Sequence, residues 1–151
     1  MTTPTESASE IRSPQAVVAE YWARLDRRDE SASDLVAEDF VNHAAAPQGR
    51  EGMRQIALVL DHDLGHPQTR THHVVASGDL VVVHLDLVGT HVGSTSPLLK
   101  AVPPTGKPFV WTFMHLFRVS GGMIAEHWAC RDDLGLLVQL GAFPTPIQSS
   151  R

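Results

Sequence analysis

The sequence predicts an α+β fold, with helices first and a curved antiparallel sheet after them. Two observations carry this. Early in the chain, apolar residues recur at helical spacing (Val17, Val18, Tyr21, Trp22, Leu25), whereas later segments alternate with period two. The clearest strand signal, Phe109 to Val119, runs into Ser120-Gly121-Gly122 and then a second extended stretch from Met123 to about Cys130. The glycines supply the positive φ angles of a hairpin turn.

Taken in order, Met1 to Arg12 is rich in Thr, Ser and Glu and reads as a disordered tail. Ser13-Pro14 is a helix start, with Ser as N-cap and Pro at the first helical position, and the helix runs to about Arg28. A second short helix is expected over Ser33 to Glu38, an extended piece over Phe40 to His43, and a loop over Ala44 to Gly49. A third helix carries Met53, Ile56, Leu58, Val59 and Leu60 and ends near Asp63, where Gly65-His66-Pro67 breaks it. Strands follow at Thr69 to Ala76 and Leu80 to Thr90 around a Ser77-Gly78-Asp79 turn. Val92 to Pro108 is a proline-bearing loop of the kind that forms a rim or lid. After the hairpin comes a short terminal helix, then a Pro/Ser tail. The organisation is one domain over 13–144, with tails at 1–12 and 145–151.

Composition excludes several function classes. With 151 residues the chain can bury a core and still enclose a cavity. Its net charge of −5, with no run of Lys or Arg, argues against nucleic acid or an anionic membrane as partner. No apolar run approaches the roughly 20 residues of a membrane-spanning helix. The opening residues lack the charged and apolar regions of a secretory signal. A single cysteine, Cys130, cannot form an internal disulfide, which fits a reducing cytoplasm. No Walker loop, GxGxxG turn or HExxH helix is present, and no cofactor is expected.

The hairpin carries the chemistry. Trp111, Phe113, His115, Phe117 and Val119 share one face of its first strand; Thr112, Met114, Leu116 and Arg118 share the other. Pairing centred on the glycines sets His127 opposite His115 and Ala129 opposite Phe113. The aromatic wall then holds Trp111, Phe113, His115, Phe117, Ala125, His127, Ala129 and Arg131. Two imidazoles and a guanidinium among aromatics suit a cavity for an apolar, partly oxygenated ligand.

Several segments resemble the SnoaL-like polyketide cyclases of the nuclear-transport-factor-2-like superfamily. They are FVNH (Phe40 to His43), GREGM (Gly49 to Met53), ASGDLVVVH (Ala76 to His84), GTHVG (Gly89 to Gly93), PPTGK (Pro103 to Lys107), HLFRV (His115 to Val119), GGMIAEHW (Gly121 to Trp128) and LGLLVQLG (Leu134 to Gly141). Their order and spacing carry the resemblance, which covers roughly Ser13 to Pro144. It implies a cone-shaped α+β barrel with N-terminal helices on a curved sheet enclosing one pocket. It also implies a homodimer or homotetramer paired through the sheet.

On the resemblance, His115 matches a histidine of the aldol-type cyclases and would act as general acid/base or as donor to a substrate carbonyl. The structural alternative is a histidine satisfied by a cross-strand partner such as His127. Asn42 and His43 fall at the pocket mouth, Asn42 matching a position whose side chain touches ligand; a turn Asn beside a surface His is the alternative. Tyr21 reads as helix-to-sheet core whose hydroxyl can reach the pocket, and Trp22 as core. His84 and Asp86 share a strand face, which is either pocket or outer sheet. His91 matches a family histidine with a structural role; His62, His66, His72 and His73 read as surface, and no metal site is expected. The departure is Ala129, which stands where the aldol cyclases carry their proton-transferring aspartate. Asp132 is an expected N-cap that could substitute by turning inward.

Three functions follow. The first is a cofactor-independent cyclase on an apolar, polyketide-like intermediate, closing its ring by an aldol step with His115 and His127 or by a [4+2] step needing no base. The second is ketosteroid-isomerase-like proton transfer or epoxide hydrolysis, which needs a carboxylate from Asp132 or Asp86. The third is a non-catalytic binder.

Overall fold

The computed structural model describes residues 12–143, so the expected tails lie outside the described residues apart from Arg12. Helix α1 (Pro14–Asp26) begins as its sequence dictates: Ser13 Oγ accepts from the Ala16 N–H at 3.2 Å and Pro14 occupies the first turn. It buries Val17, Val18 and Tyr21. The chain turns out of the helix at Arg28, whose φ is 56°.

The next element differs from expectation. A 3-10 helix covers Glu30–Leu35, and Val36 already begins strand β1 (Val36–Asn42). Val36 is fully buried and pairs with Ile124. Tertiary pairing overrides the weak helical preference of a six-residue segment. The expected piece at Phe40 is thus the end of a longer strand.

Helix α2 (Gly49–Asp63) is followed by β2 (Gln68–Ser77), β3 (Leu80–Thr90), β4 (Pro108–Ser120), β5 (Met123–Arg131) and α3 (Asp133–Gln139). The sheet order is β1-β5-β4-β3-β2. Strands β2 to β5 pair antiparallel, but β1 runs parallel to β5, so the sheet is mixed. A parallel neighbour requires a long crossover, and β1 and β5 are separated by α2 and three strands. No helix among the described residues is long and apolar enough to cross a membrane.

One sheet face takes the helices. Val81, Val83, Leu85 and Leu87 of β3 alternate inward with Phe109, Trp111, Phe113, Phe117 and Val119 of β4. Each such buried side chain contributes about 1.5–3 kcal/mol of transfer free energy. The opposite face is open: Val75, Val110 and Met114 are 64%, 40% and 50% exposed.

The loop between β3 and β4 is latched. The buried Asp63 carboxylate accepts from the N–H groups of Thr95 and Ser96 and from the Thr95 hydroxyl, and its carbonyl accepts from Val92 and Gly93. His91, fully buried, hydrogen-bonds Thr105 and Ser94 within the same loop. These anchors give the loop a fixed path over the end of α2.

Candidate active site

The hairpin turn forms as its glycines require, Gly121 at φ 58° and Gly122 at φ 76°, with Ser120 paired to Met123. The register beyond it differs from the glycine-centred expectation. Arg118 pairs with Glu126 but Val119 pairs with Ile124, so Ala125 is one extra residue on β5. This bulge turns Ile124 rather than Ala125 inward, and shifts the pairing: Ala129 lies opposite His115, His127 opposite Phe117, and Arg131 opposite Phe113.

The imidazoles meet all the same, along the diagonal. His115 Nδ1 and His127 Nε2 are 2.8 Å apart, with ring centroids at 5.1 Å. His115 is sandwiched in its own strand, stacked on Phe113 at 4.9 Å and Phe117 at 5.7 Å. Phe117 in turn stacks on His127 at 4.8 Å and packs against Tyr21. His115 is 6% exposed and His127 5%. Burial penalises the charged imidazolium, and the pKa falls to about 3 for His115 and about 4 for His127. Burial likewise pushes the Tyr21 phenol well above its ordinary value.

Asn42, at the end of β1, touches His127: its Oδ1 is 3.3 Å from His127 Nδ1 and accepts from the Ala44 N–H at 2.9 Å. Tyr21, Asn42, Trp111, Phe113, His115, Phe117, His127 and the half-buried Ala129 are therefore brought together.

Three expected site residues are not. His43 is exposed, stacked on Trp128 at 4.6 Å and bonded to Glu126 at 2.9 Å. Arg131 is exposed at the strand end, with its guanidinium 5.5 Å over the Trp111 ring and Nε 2.8 Å from Asp133. Asp132 is exposed and accepts from Gly135 N–H at 2.8 Å, the N-cap of α3. Asp86 lies on the other sheet face, held by the Thr112 hydroxyl at 2.8 Å and His72 at 2.7 Å, and His84 contacts His73 there. Asp132 and Asp86, the two carboxylates expected to serve isomerase or hydrolase chemistry, are thus away from the wall.

Trp22 is the residue that sequence reading left in the core. Its ring centroid is 5.0 Å from that of His115. It also lines two cavities, one of about 310 Å³ between α1, the 3-10 helix and α2, the other of about 340 Å³ between α1 and strands β2 and β3. Their size suits a small ligand. Neither is lined by His115; Trp22 stands between them and the imidazole. Asp26, one turn further along α1, lines both cavities and accepts from the Thr69 N–H and hydroxyl. The i, i+4 spacing of Trp22 and Asp26 was the available signal.

Buried polar atoms without a partner among the described residues include Trp22 Nε1, Trp111 Nε1 and His115 Nε2. Such groups are rare and costly in a finished core. Three of them fall on or against the aromatic wall.

Helices packed on a five-stranded mixed sheet, with aromatic and imidazole side chains on the covered face, define the class. The chain belongs to the SnoaL-like polyketide cyclase family, which it matches over residues 15–140. Aklanonic acid methyl ester cyclase DnrD of Streptomyces peucetius is 39% identical over 71 residues, 46% of this chain and 46% of that protein. The chain thus aligns with about half the length of the curated relatives it matches. Among solved structures, TsrD of Streptomyces laurentii superposes with a TM-score of 0.76 at 25% identity, over 85% of this chain and 95% of that one. IdmH of Streptomyces antibioticus, provisionally a polyketide cyclase, gives 0.72 at 29%, over 86% and 99%.

Proposed function

We propose that this chain is a cofactor-independent cyclase that closes a ring in a polyketide-like, apolar intermediate, and that it does so by [4+2] cycloaddition rather than aldol condensation. The observation that carries the reading is Ala129 lying directly opposite His115. Aldol closure must take a proton from carbon and deliver one to a carbonyl oxygen. The resemblance puts the aspartate for that task at position 129, where this chain has a methyl group. The remaining titratable groups there are two imidazoles with pKa values of about 3 and 4 and the Tyr21 phenol, which burial pushes well above its ordinary value; none is matched to a base working near neutrality.

Cycloaddition moves no proton. Three substrate π bonds become one π bond and two C–C σ bonds, all electrons coming from the substrate. The protein's part is to hold diene and dienophile in contact, which can be worth several kcal/mol of barrier. The indole N–H groups of Trp22 and Trp111 would polarise a carbonyl on the dienophile. The relatives named as cyclases support ring closure, the coarser half of this reading.

The reading extends to assembly and compartment. A second copy pairing through the open sheet face would cover Val75, Val110 and Met114. A cytoplasmic setting suits Cys130, an exposed free thiol.

The test is deletion of the gene in its host, with metabolite profiling. Cycloaddition predicts an accumulating open-chain precursor with the same mass as the missing product, which the purified protein converts. Aldol addition also conserves mass, so the bonds of the product decide. Two new C–C bonds and no new hydroxyl indicate cycloaddition. One new C–C bond at a carbon whose carbonyl has become a hydroxyl, or the alkene left after that hydroxyl departs as water, would instead indicate aldol closure. An unchanged profile would remove the cyclase reading.

A further inference from the structure

The two buried histidines belong to a hydrogen-bond chain that starts at a backbone amide. The Ala44 N–H donates to Asn42 Oδ1. A backbone N–H can only donate, so the atom it meets is the amide oxygen, and the orientation of the Asn42 side chain is fixed. That oxygen also faces His127 Nδ1. An amide oxygen only accepts, so His127 Nδ1 carries a proton. A neutral imidazole has one proton, so His127 Nε2 is an acceptor. It faces His115 Nδ1 at 2.8 Å, which must therefore hold His115's single proton. His115 Nε2 is left as a bare lone pair, buried and without a partner among the described residues.

We propose that Asn42 is a positioning residue that fixes both tautomers, and that His115 Nε2 thereby accepts a hydrogen bond from an enol or hydroxyl of the ligand. The ligand half of this rests on the wall being the substrate site, as in the proposed function. Burial keeps both rings neutral, which the chain of single protons requires. The indole donors of Trp22 and Trp111 on the same wall call for the opposite group, a carbonyl oxygen. The substrate class is then an apolar skeleton carrying an O–H and a carbonyl together, as in an enolised diketone or hydroxyketone. A wall offering only donors would accept a plain diketone; the acceptor on His115 selects against it, because a carbonyl there would leave two lone pairs face to face.

The tautomers can be read without substrate by long-range ¹H–¹⁵N spectra of the imidazoles at neutral pH. The expected result is the Nδ1–H form at both His115 and His127. Asn42→Leu, which removes the acceptor, should shift His127 and His115 toward the Nε2–H form. Asn42→Asp keeps an acceptor for both Ala44 and His127, so it should preserve both tautomers while raising the His127 pKa. An Nε2–H form at His115 in the wild-type protein would overturn the proposal, whatever the variants do. For the ligand, 9-fluorenone and 2-hydroxyfluorenone differ only by one O–H. The hydroxyketone should bind about five- to tenfold more tightly, and His115→Phe should abolish that difference. Equal binding to the wild-type protein overturns the ligand assignment. Failure of the cyclase reading would show differently, as an unchanged metabolite profile with these contrasts intact.

Discussion

At position 129 one methyl group separates two chemistries. Ala129→Asp restores the carboxylate that the family resemblance expects, directly opposite His115 and among aromatics. A carboxyl held there without a hydrogen-bond partner costs roughly 1–3 kcal/mol even when protonated, so a shape-templated cycloaddition should slow by about one to two orders of magnitude. Single-turnover rates check this; a faster reaction would favour a proton-transfer mechanism. The imidazoles make a second residue-scale prediction. Their folded pKa values of about 3 and 4 lie below the ordinary 6.5. Between about pH 4 and 6.5 the unfolded chain therefore binds protons that the folded chain refuses. Stability should be complete above pH 6.5 and fall as pH drops toward 4, by at most about 1.4 kcal/mol per pH unit for each ring. Denaturant midpoints at pH 7, 5.5 and 4.5 measure it; equal midpoints would mean that the rings are not buried neutral. The alternation of β4 made most of the wall legible in the sequence, because a period of two names a face directly. Trp22 was not legible, because helical spacing says only that a residue faces the sheet, not which side chain it meets.

Among the elements, the hairpin shows where sequence stops being informative. Gly121-Gly122 announced the turn, since only glycine takes two successive positive φ angles without strain. Nothing in Met123 to Glu126 announced the bulge at Ala125, because an extra residue is fixed by cross-strand pairing rather than by its own preference. Strand β1 was half legible for a related reason: its pairing partner is the last strand of the chain. Asp132 as the cap of α3 was read correctly, because capping is local chemistry. The loop after β3 was open as a rim or lid, and Asp63 holds it in place. Asp63→Asn keeps the shape but removes the charge that Thr95 and Ser96 donate to. It should cost about 2–4 kcal/mol and raise amide exchange across Val92 to Val102. Unaltered exchange in that segment would show that the loop is held by other contacts.

On the scale of the whole molecule, the sheet has one finished face and one open face. The finished face packs the helices; the open one presents Val75, Val110 and Met114 beside His72, His73 and His84. Met114→Glu puts a charge at the middle strand of that face, so the proposed dimer should dissociate to monomers in sedimentation while the far-UV spectrum stays unchanged. A variant that sediments as the wild type does would move the interface elsewhere. The central claim concerns the finished face: that a ligand enters between α1 and the sheet, displaces the Trp22 ring that stands before His115, and meets the buried wall. The three tryptophans test it in one titration. Trp22 and Trp111 have buried indole N–H groups without partners among the described residues, whereas Trp128 stacks on His43 at the other face. In ¹H–¹⁵N spectra with 9-fluorenone added, the indole signals of Trp22 and Trp111 should move as their N–H groups find the carbonyl, and that of Trp128 should not. Binding that leaves both signals in place, or that moves Trp128 alone, would contradict the account.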